Sequence, residues 1–444
     1  MINVAEEVDI LVRNTDILTL DDSKPVLHGY SLAIQAGRIQ AVGKELGSLD
    51  SKHELDGRGK VILPGLVDAH THVFQIFLRG ALSSRELNVH PVWLKILMPF
   101  EAEMAPEEAE ASAQLASLNM IKKGITAFAD AGGPYPEVIA SIAESAGLRA
   151  RITHSTMDDG PENYRRNVEC NEKLVAKLKG DRVKGWYSIR QIMVSTDRLI
   201  EETMRRAERD DVGVHIHLNE ETAEVEHALN RWGKRPFEHF HDRNYLSKRI
   251  LAAHCAFLSD HETHLIAETS TNVVHCPFIN MAYITFPKVP RLLELGVNVA
   301  LGSDGGSFRA LDLFTEMNIA LASHTAYFGT PYYDFSTLSA PILLRMATTN
   351  GYKAIMQEDA GVVREGFRAD LITINLNRAH LTPMYDLTAL PLFTTGNDVA
   401  DMIVDGKLIM TDGSVLTMDE SEVLGRAREV EPKITERLGR YVAQ

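Results

Sequence analysis

Cysteine is scarce in this chain of 444 residues, which contains only Cys170, Cys255 and Cys276 and no C-x-x-C pair. Three cysteines cannot build a disulfide framework, and such a count is typical of a reducing compartment. The first residues, MINVAEEVDI, also lack the basic and apolar regions of a secretory signal. We therefore expect a cytoplasmic protein.

Excess positive charge and long apolar runs are missing as well. The formal net charge is -15 and the sequence pI is about 5.6, whereas a protein that binds nucleic acid or an anionic membrane needs a basic patch. No apolar run approaches the roughly 20 residues of a membrane span. The sequence thus predicts neither a nucleic-acid partner nor a membrane partner. Its 45% hydrophobic and 24% charged residues are typical of a globular protein with a sizeable core.

The middle of the chain contains eight short runs rich in Val, Ile and Ala, most of them followed by a helix-like segment. Continuous apolar character is typical of parallel strands that are buried on both faces. Eight βα units in about 300 residues predict a TIM barrel. A doubly wound open sheet is the alternative, but no G-x-G-x-x-G follows the first run. The runs are VILPGLVDAH, ITAFADAG, LRARITHST, KGWYSIRQIM, VGVHIHLNE, ILAAHCAF, TNVVHCPF and VNVALGSDGG.

The two ends of the chain show a different pattern, in which apolar and polar residues alternate and break at Gly and Asp. GYSLAIQAGRIQAVG and DVADMIVDGKLIMTDG are examples. Because chain termini often lie close together, we expect both ends to pair into one small β-sandwich. Residues 1–62 and 368–444 are assigned to this composite sandwich, and residues 63–367 to the α/β barrel.

Histidines and acids collect at the ends of the predicted strands, where the chemistry of a TIM barrel lies. His70 and His72 end the first strand, and side chains two residues apart point to the same face. His217 ends the fifth strand, and Asp304 ends the eighth, which neighbours the first in a closed barrel. Three neutral imidazoles and one carboxylate suit Zn²⁺ or another borderline divalent cation, with a position left for water. The alternative is a turn role for the histidine pair and for Asp304.

Other polar residues near these strand ends each have two possible roles or lie deeper in the barrel. Glu220 lies three residues past the fifth-strand ligand, which is the placement of a proton shuttle, although a solvated acid is the alternative. His254 on the sixth strand either hydrogen-bonds the metal water or binds the metal. His275 on the seventh is a substrate contact or a buried polar residue. His215 lies one layer deeper and is interpreted as a core histidine.

The combined motifs resemble the amidohydrolase superfamily. The segments PGLVDAHTH, HIHLNE, LAAHC and LGSDGG, followed by DAGVVREGFRADLITIN and VADMIVDGKLIM, carry the resemblance over nearly the whole chain. Within that superfamily, the chain is similar to the branch of triazine hydrolases, guanine deaminase and methylthioadenosine/S-adenosylhomocysteine deaminases. The resemblance implies a distorted (β/α)8 TIM barrel with a small β-sandwich built from both chain ends. It also implies one divalent metal ion, Zn²⁺ or Fe²⁺, and a homo-oligomer.

The resemblance also implies roles for individual residues. The metal would be bound by His70, His72, His217 and Asp304. The catalytic groups would be Glu220, His254 and Asp304, with Glu220 moving protons.

The implied reaction is hydrolytic displacement at a ring carbon by metal-activated water. The preferred form is deamination of an aminated N-heterocycle, such as a purine, pterin, pyrimidine or triazine, with release of ammonia. The enzyme would then be a hydrolase of carbon–nitrogen bonds in cyclic amidines. The alternatives are a triazine-type chlorohydrolase or alkylamine-releasing hydrolase on the same site, and a methylthioadenosine/S-adenosylhomocysteine-type deaminase. A non-catalytic interaction protein on the same barrel is a further alternative.

The segments that would contact the substrate depart from the nucleoside-deaminase pattern. After the fourth strand, SIRQIMVST replaces a PHSPY-like segment, so Arg190 or Gln191 stands where a histidine is usual. NVHPVWLK has Pro91 and Val92 before Trp93, where an acidic residue is usual, and HCPFINMAY departs from NPxSN. These changes favour a smaller heterocycle than a nucleoside. The candidate substrate-binding residues, each with loop packing as its alternative, are Gln75, Trp93, Gln191, His275, Phe278 and Asn280.

Overall fold

The computed structural model describes residues 7–46, 49–82, 92–334 and 337–442. The N-terminal end of the chain forms five strands before the first predicted barrel strand. These strands are β1 Glu7–Leu18, β2 Val26–Gln35, β3 Arg38–Gly43, β4 Asp50–Asp56 and β5 Lys60–Pro64. Neighbouring strands pair antiparallel for β1–β2 and β2–β3, and parallel for β1–β4 and β1–β5.

The middle of the chain forms ten parallel strand segments, and each of the eight predicted apolar runs overlaps at least one of them, although the first four residues of the first run, VILP, lie in β5. Every residue of eight of these segments is buried, as continuous apolar strands require. The segments are β6 Leu66–His72, β7 Ile125–Asp130, β8 Arg149–Ile152, β9 Val183–Gly185, β10 Tyr187–Ile189, β11 Val214–Leu218, β12 Ile250–His254, β13 Asn272–His275, β14 Val299–Leu301 and β15 Asp304–Gly305.

The ten segments correspond to eight barrel strands, because the fourth strand and the eighth strand are each interrupted. The sheets run β15-β6-β7-β8-β9 and β10-β11-β12-β13-β14. A single residue, Trp186, separates β9 from β10, and Gly302 and Ser303 separate β14 from β15. The fourth and eighth strands therefore each pair with one sheet through their first half and with the other through their second half. The predicted (β/α)8 fold class is confirmed.

The C-terminal end of the chain completes the sheet that the N-terminal end begins. It contributes β16 Leu371–Asn375, β17 Val399–Val404, β18 Lys407–Thr411 and β19 Ser414–Val415. Together these strands form one nine-stranded sheet, ordered β19-β18-β17-β16-β5-β1-β2-β3 with β4 beside β1. The two ends meet where β16 pairs antiparallel with β5. The division into residues 1–62 with 368–444 and residues 63–367 stays a prediction.

Helices alternate with the barrel strands. The second one shows how the sequence sets a boundary: a proline opens it, and the Glu108 carboxylate accepts the Ala105 N–H at 3.0 Å. None of the described helices is long and apolar enough to cross a membrane. The helices are α1 Met98–Ala102, α2 Pro106–Lys122, α3 Pro136–Ala146, α4 Val168–Lys177, α5 Asp197–Asp210, α6 Thr222–Trp232, α7 Pro236–Asp242, α8 Asp260–Glu268, α9 Pro277–Ala282, α10 Val289–Glu294, α11 Leu313–His324, α12 Ala340–Ala347, α13 Thr349–Ala354 and α14 Glu420–Val442.

A buried ion pair joins the barrel to the sheet formed by the chain ends. Arg149 in β8 and Asp370, just before β16, are both fully buried, and their side chains meet at 2.7 Å. The Asp370 carboxylate also accepts the backbone N–H of Asp405 at 2.7 Å, in the turn between β17 and β18. The ion pair therefore ties the lower part of the barrel to two strands of the sheet.

Candidate metal centre and catalytic site

Strand β6 delivers the first two predicted ligands to the barrel mouth. His70 and His72 are 0% and 3% exposed. The buried Nε2 atom of His70 has no hydrogen-bond partner among the described residues. A buried nitrogen with no partner is costly unless another group binds it. This observation is the first sign that a cation belongs here.

The remaining predicted ligands converge on the same point. His72 Nε2 lies 3.2 Å from His217 Nε2, and Asp304 Oδ1 lies 3.5 Å from His70 Nε2 and 3.4 Å from His72 Nε2. One ligand atom from each of the three histidines lies within 4.8 Å of the others. Three imidazole nitrogens and a carboxylate oxygen that face one point form a donor set suited to a divalent cation. The residues present therefore fit the predicted metal.

The eighth barrel strand places Asp304 opposite β6. Asp304 pairs with Thr71 in a parallel ladder, and the Thr71 hydroxyl donates to the Asp304 carbonyl at 2.9 Å. A glycine is needed just before it, because a Cβ on Gly302 would lie 2.9 Å from the carbonyl oxygen of His70. The motif GSD therefore lets the eighth strand pass close to the first and turn its carboxylate towards the histidines.

A fourth histidine supports this cluster from the layer below. His215 Nε2 lies 2.7 Å from His70 Nδ1. If His70 binds a cation through Nε2, its single ring proton is on Nδ1 and is donated to His215. Sequence reasoning interpreted His215 as a core histidine, and its contact with His70 gives it a supporting position behind the ligands.

The orientation of His254 follows from a chain of hydrogen bonds. The Cys276 N–H donates to Asn280 Oδ1 at 3.2 Å, so the amide nitrogen of Asn280 faces the other way. That nitrogen lies 3.4 Å from His254 Nδ1 and 3.1 Å from Thr285 Oγ1. His254 Nδ1 therefore accepts, which leaves the proton of the neutral ring on Nε2. This nitrogen lies 3.6 Å from Glu220 Oε1.

The orientation separates the two roles that the sequence left open for His254. Its ring does lie close enough to His70 and Asp304 to join a metal cluster, with ligand atoms within 4.8 Å. However, a nitrogen that carries a proton donates a hydrogen bond and does not bind a cation. The geometry thus favours a hydrogen bond from His254 to water or substrate.

Glu220 is held beside the cluster as a buried carboxyl group. It is 6% exposed, and its backbone N–H donates to the Glu224 carboxylate at 2.8 Å, which fixes the loop after β11. Burial raises the pKa of Glu220 to about 8; the charge of Asp304 raises it further and that of Arg190 opposes the rise. A divalent cation nearby would lower this pKa. A carboxyl group that can gain or lose a proton near neutral pH is suited to proton transfer.

The chain is similar to known proteins along nearly its whole length. The sequence matches the family model described as the amidohydrolase family over residues 61–409. The chain belongs to the amidohydrolase family. It is 33% identical over 437 residues to the 5'-deoxyadenosine deaminase of Methanosarcina acetivorans, covering 97% of this chain and 99% of that one. It is also 33% identical over 437 residues to the 5-methylthioadenosine/S-adenosylhomocysteine deaminase of Syntrophomonas wolfei, covering 96% and 99%.

Solved structures of other proteins share the fold of this amidohydrolase. An adenosine deaminase from Xanthomonas campestris with bound zinc is 24% identical, with a TM-score of 0.88 over 98% of this chain and 100% of that one. The atrazine chlorohydrolase of Arthrobacter aurescens, complexed with zinc, is 21% identical, with a TM-score of 0.89 over 95% and 100%. At these identities the likeness shows the fold alone.

A cavity of this amidohydrolase opens directly above the candidate metal centre. Two of the predicted substrate-binding residues, Trp93 and Gln191, line it. Tyr283 and Leu97 line it too. Sequence reasoning missed both: Leu97 ends the helical turn Trp93–Leu97, and Tyr283 follows α9 within HCPFINMAY, where the pattern did not single it out. The full lining is His72, Trp93, Leu97, Arg190, Gln191, His217, Glu220, His254, Tyr283 and Asp304.

The other four predicted substrate-binding residues do not line this cavity. Asn280 lies one layer behind it and bonds His275 Nδ1 at 3.3 Å. Gln75 donates its side-chain amide to the Glu101 carboxylate at 2.8 Å. The Phe278 ring lies under the guanidinium of Arg309, whose carbon atom is 4.9 Å from the centre of the ring. In this structure these contacts give them packing and positioning roles, and their contact with a substrate stays a prediction.

Proposed function

We propose that the chain is a metal-dependent aminohydrolase that removes ammonia from an aminated N-heterocycle. The observation that carries the proposal is the convergence of the three imidazoles of His70, His72 and His217 with Asp304, beside the buried carboxyl group of Glu220. Full-length relatives at 33% identity are named as deaminases of adenine nucleosides, which supports the same reaction type.

Zn²⁺ is the proposed metal, with Fe²⁺ as the alternative. His70, His72, His217 and Asp304 would hold it, because neutral imidazole nitrogens with one carboxylate suit a borderline cation. When bound, such a cation would lower the pKa of a water molecule and so supply hydroxide at neutral pH.

The protein's own groups would handle the protons and the orientation of the reactants. Glu220 accepts the proton that the attacking water loses and delivers it to a ring nitrogen, which makes the neighbouring ring carbon more electrophilic. It then takes the proton of the hydroxyl group added to the ring carbon and passes it to the departing amine, so that a carbonyl forms, the carbon–nitrogen bond breaks and ammonia leaves. His254, with its proton on Nε2, donates a hydrogen bond that orients the water and the substrate. Leu97 and Trp93 exclude bulk water from one side of the cavity.

A deaminase of 5'-substituted adenosines is the second candidate. The support for it is the 33% identity to two curated nucleoside deaminases over nearly the whole chain. Arg190 argues against it, because it stands after the fourth strand, where the nucleoside-deaminase pattern has a histidine. The likeness to the chlorohydrolase rests on the fold alone, so release of chloride is the weakest candidate. A homo-oligomer in the cytoplasm stays a prediction.

An ammonia-release screen tests the proposal. The protein is stripped of metal with a chelator, reloaded with Zn²⁺ or Fe²⁺, and assayed against aminopurines, adenosines, aminopterins, aminopyrimidines and aminotriazines. We expect ammonia from at least one class, only after reloading, and no release by an Asp304→Asn variant that lacks one proposed ligand. Chloride release from a chlorotriazine is measured in parallel. A metal-replete, folded protein that releases no ammonia from the whole panel would contradict the proposal.

A further inference from the structure

The two loops that carry Glu220 and His254 are bonded to each other through their backbones. Glu220 follows β11 and His254 ends β12, and these two strands pair in parallel. Asn219, between β11 and Glu220, is fully buried. The Asn219 carbonyl accepts the N–H groups of Ala256 at 2.9 Å and Phe257 at 3.0 Å. One residue of the first loop therefore binds the chain where it leaves the neighbouring strand.

The side chain of Asn219 adds two further bonds to this connection. Its Nδ2 donates to the Phe257 carbonyl at 3.2 Å and to Glu262 Oε1 at 3.1 Å. Because both partners are acceptor oxygens, the orientation of the amide is fixed. The φ angle of Asn219 is 55°, in the left-handed region that asparagine adopts more readily than most residues. The residue before the proposed proton shuttle is thus held through both its backbone and its side chain.

Glu262 is a fully buried carboxylate whose two oxygens face different parts of the structure. Oε2 accepts Arg235 Nε at 2.6 Å and the Ser259 N–H at 2.9 Å, and the bond from Ser259 belongs to the capping box that begins α8. Oε1 accepts the Phe237 N–H at 3.2 Å as well as the amide of Asn219. The cap of α8 uses Oε2 alone, whereas Oε1 reaches the loop of the proposed proton shuttle.

We propose that Asn219 and Glu262 are positioning residues that fix the Glu220 carboxyl group relative to the His254 ring. The proposal rests on the proposed function, because the proposed reaction needs both groups at one water molecule. Glu220 Oε1 lies 3.6 Å from His254 Nε2. The Glu220 N–H bond to Glu224 stays within the loop after β11, so it cannot set this separation.

The expected size of the effect follows from the geometry of catalysis. Neither Asn219 nor Glu262 lines the catalytic cavity, so both would act through Glu220 and not on the substrate. A misplacement of about 1 Å can lower a rate about 10²-fold. Loss of the contact between Asn219 and Glu262 should therefore slow the chemical step and leave substrate binding and metal binding nearly unchanged.

Two substitutions remove this contact and leave the cavity lining intact. Asn219→Gly removes the side chain and still permits a positive φ angle. Its matched control is Asn244→Gly, because Asn244 also has a positive φ angle, 57°, and is exposed. Glu262→Gln keeps the shape but places a donor nitrogen where a carboxylate oxygen accepts. Its control is Glu268→Gln, the same change at an exposed position of α8.

Kinetics of ammonia release test the role in catalysis. Each variant is loaded with metal, its metal content is measured by elemental analysis, and kcat and KM are determined with a substrate found in the screen. We expect kcat to fall roughly 10- to 100-fold in Asn219→Gly and in Glu262→Gln, with little change in KM or metal content. The double variant should be no slower than the slower single variant, because both changes break the same contact. The two controls should match the wild-type protein.

Hydrogen exchange followed by mass spectrometry tests the contact without any reaction. We expect residues 219–224 and 255–258 to exchange roughly tenfold faster in both single variants, since both loops lose a shared anchor. Strand β7 should exchange as in the wild-type protein, and so should both loops in the two control variants.

Several outcomes would overturn the proposal. These are an unchanged kcat in folded, metal-loaded Asn219→Gly, a loss of activity explained by lost metal or a raised KM, and fully additive effects in the double variant. If one single variant does not fold, the other decides. Failure of both to fold would show that the two residues have a structural role alone, which also overturns it.

Failure of the proposed function gives a different result. A wild-type protein that releases no ammonia from the whole panel contradicts the proposed function, and hydrogen exchange then decides about the contact by itself. Faster exchange of both loops in the two variants would support the positioning of Glu220 relative to His254, whereas unchanged exchange would remove it. Ammonia release with wild-type kcat in both variants would leave the proposed function standing and remove the positioning role.

Discussion

Replacement of Glu220 by glutamine tests catalysis and stability at the same time. Glutamine has nearly the same shape and keeps one acceptor oxygen, but it cannot carry a proton. A positioned general acid or base typically contributes about 10²- to 10⁴-fold to the rate. We therefore expect kcat to fall by that factor, which corresponds to about 3–5 kcal/mol of lost transition-state stabilisation, while substrate binding changes little.

The same substitution should stabilise the metal-free protein. Burial raises the pKa of Glu220 from 4.5 to about 8. A group whose pKa is higher in the folded state contributes its full stability below its unfolded pKa and loses it as the pH rises through the folded pKa. The wild-type protein thus carries a penalty that grows between about pH 4.5 and pH 8 and amounts to about 3 kcal/mol at pH 7. Glu220→Gln removes this penalty.

Activity and unfolding measurements check both expectations. Ammonia release is assayed on metal-loaded protein, and the free energy of unfolding is measured by denaturant titration of metal-free protein at pH 5 and pH 7.5. We expect Glu220→Gln to lose activity and to gain stability more at pH 7.5 than at pH 5. Glu226→Gln, the same change at an exposed position of α6, should alter neither. Retention of activity within a few-fold, or a stability loss that accounts for the inactivity, would refute the reasoning.

Three further substitutions test the supporting contacts. His215→Phe removes the acceptor of His70 Nδ1, so we expect metal affinity, measured by chelator competition, to fall about 10- to 100-fold. Asp370→Asn leaves Arg149 buried without its counter-charge, so denaturant titration should show a loss of about 3–5 kcal/mol. Asn280→Asp places an acceptor opposite the acceptor nitrogen of the sixth-strand histidine, and steady-state kinetics should show kcat lowered about tenfold with wild-type metal content.

The barrel and the convergence of the proposed ligands could be predicted because their physical signals are local. Strands buried on both faces need continuous apolar residues, and β6, β7, β11 and β12 are buried along their whole length. A strand has a side-chain period of two residues, so His70 and His72 had to share a face. The order of the strands around a barrel then brought His217 and Asp304 to the same mouth.

The residues that surround the proposed metal ligands could not be predicted, because their positions depend on contacts between loops. Gln75 and Asn280 follow strand ends as closely as the residues that line the cavity. They lie outside the lining because Gln75 bonds Glu101 and Asn280 contacts His254. Tyr283 lines the cavity although no pattern distinguishes it from its neighbours. Sequence patterns report which strand a loop follows, whereas the direction of each side chain depends on the packing of several loops together.

Two residues of the site have an unusual backbone conformation, His254 where β12 ends and Asp304 where β15 begins. His254 and Asp304 have φ angles of 73° and 59°, a region that residues other than glycine rarely adopt. Such conformations cost free energy and persist where the surrounding structure enforces them, often at functional sites. Here the turn lets each side chain point into the cavity while the chain leaves the strand. Gly302 and Gly305 lie on either side of Asp304, which relieves the crowding that the turn would otherwise cause. Thirteen other described non-glycine residues also have positive φ angles, so strain alone does not mark the site. The convergence of both side chains on one cavity is what favours a working centre over an ordinary set of turn residues.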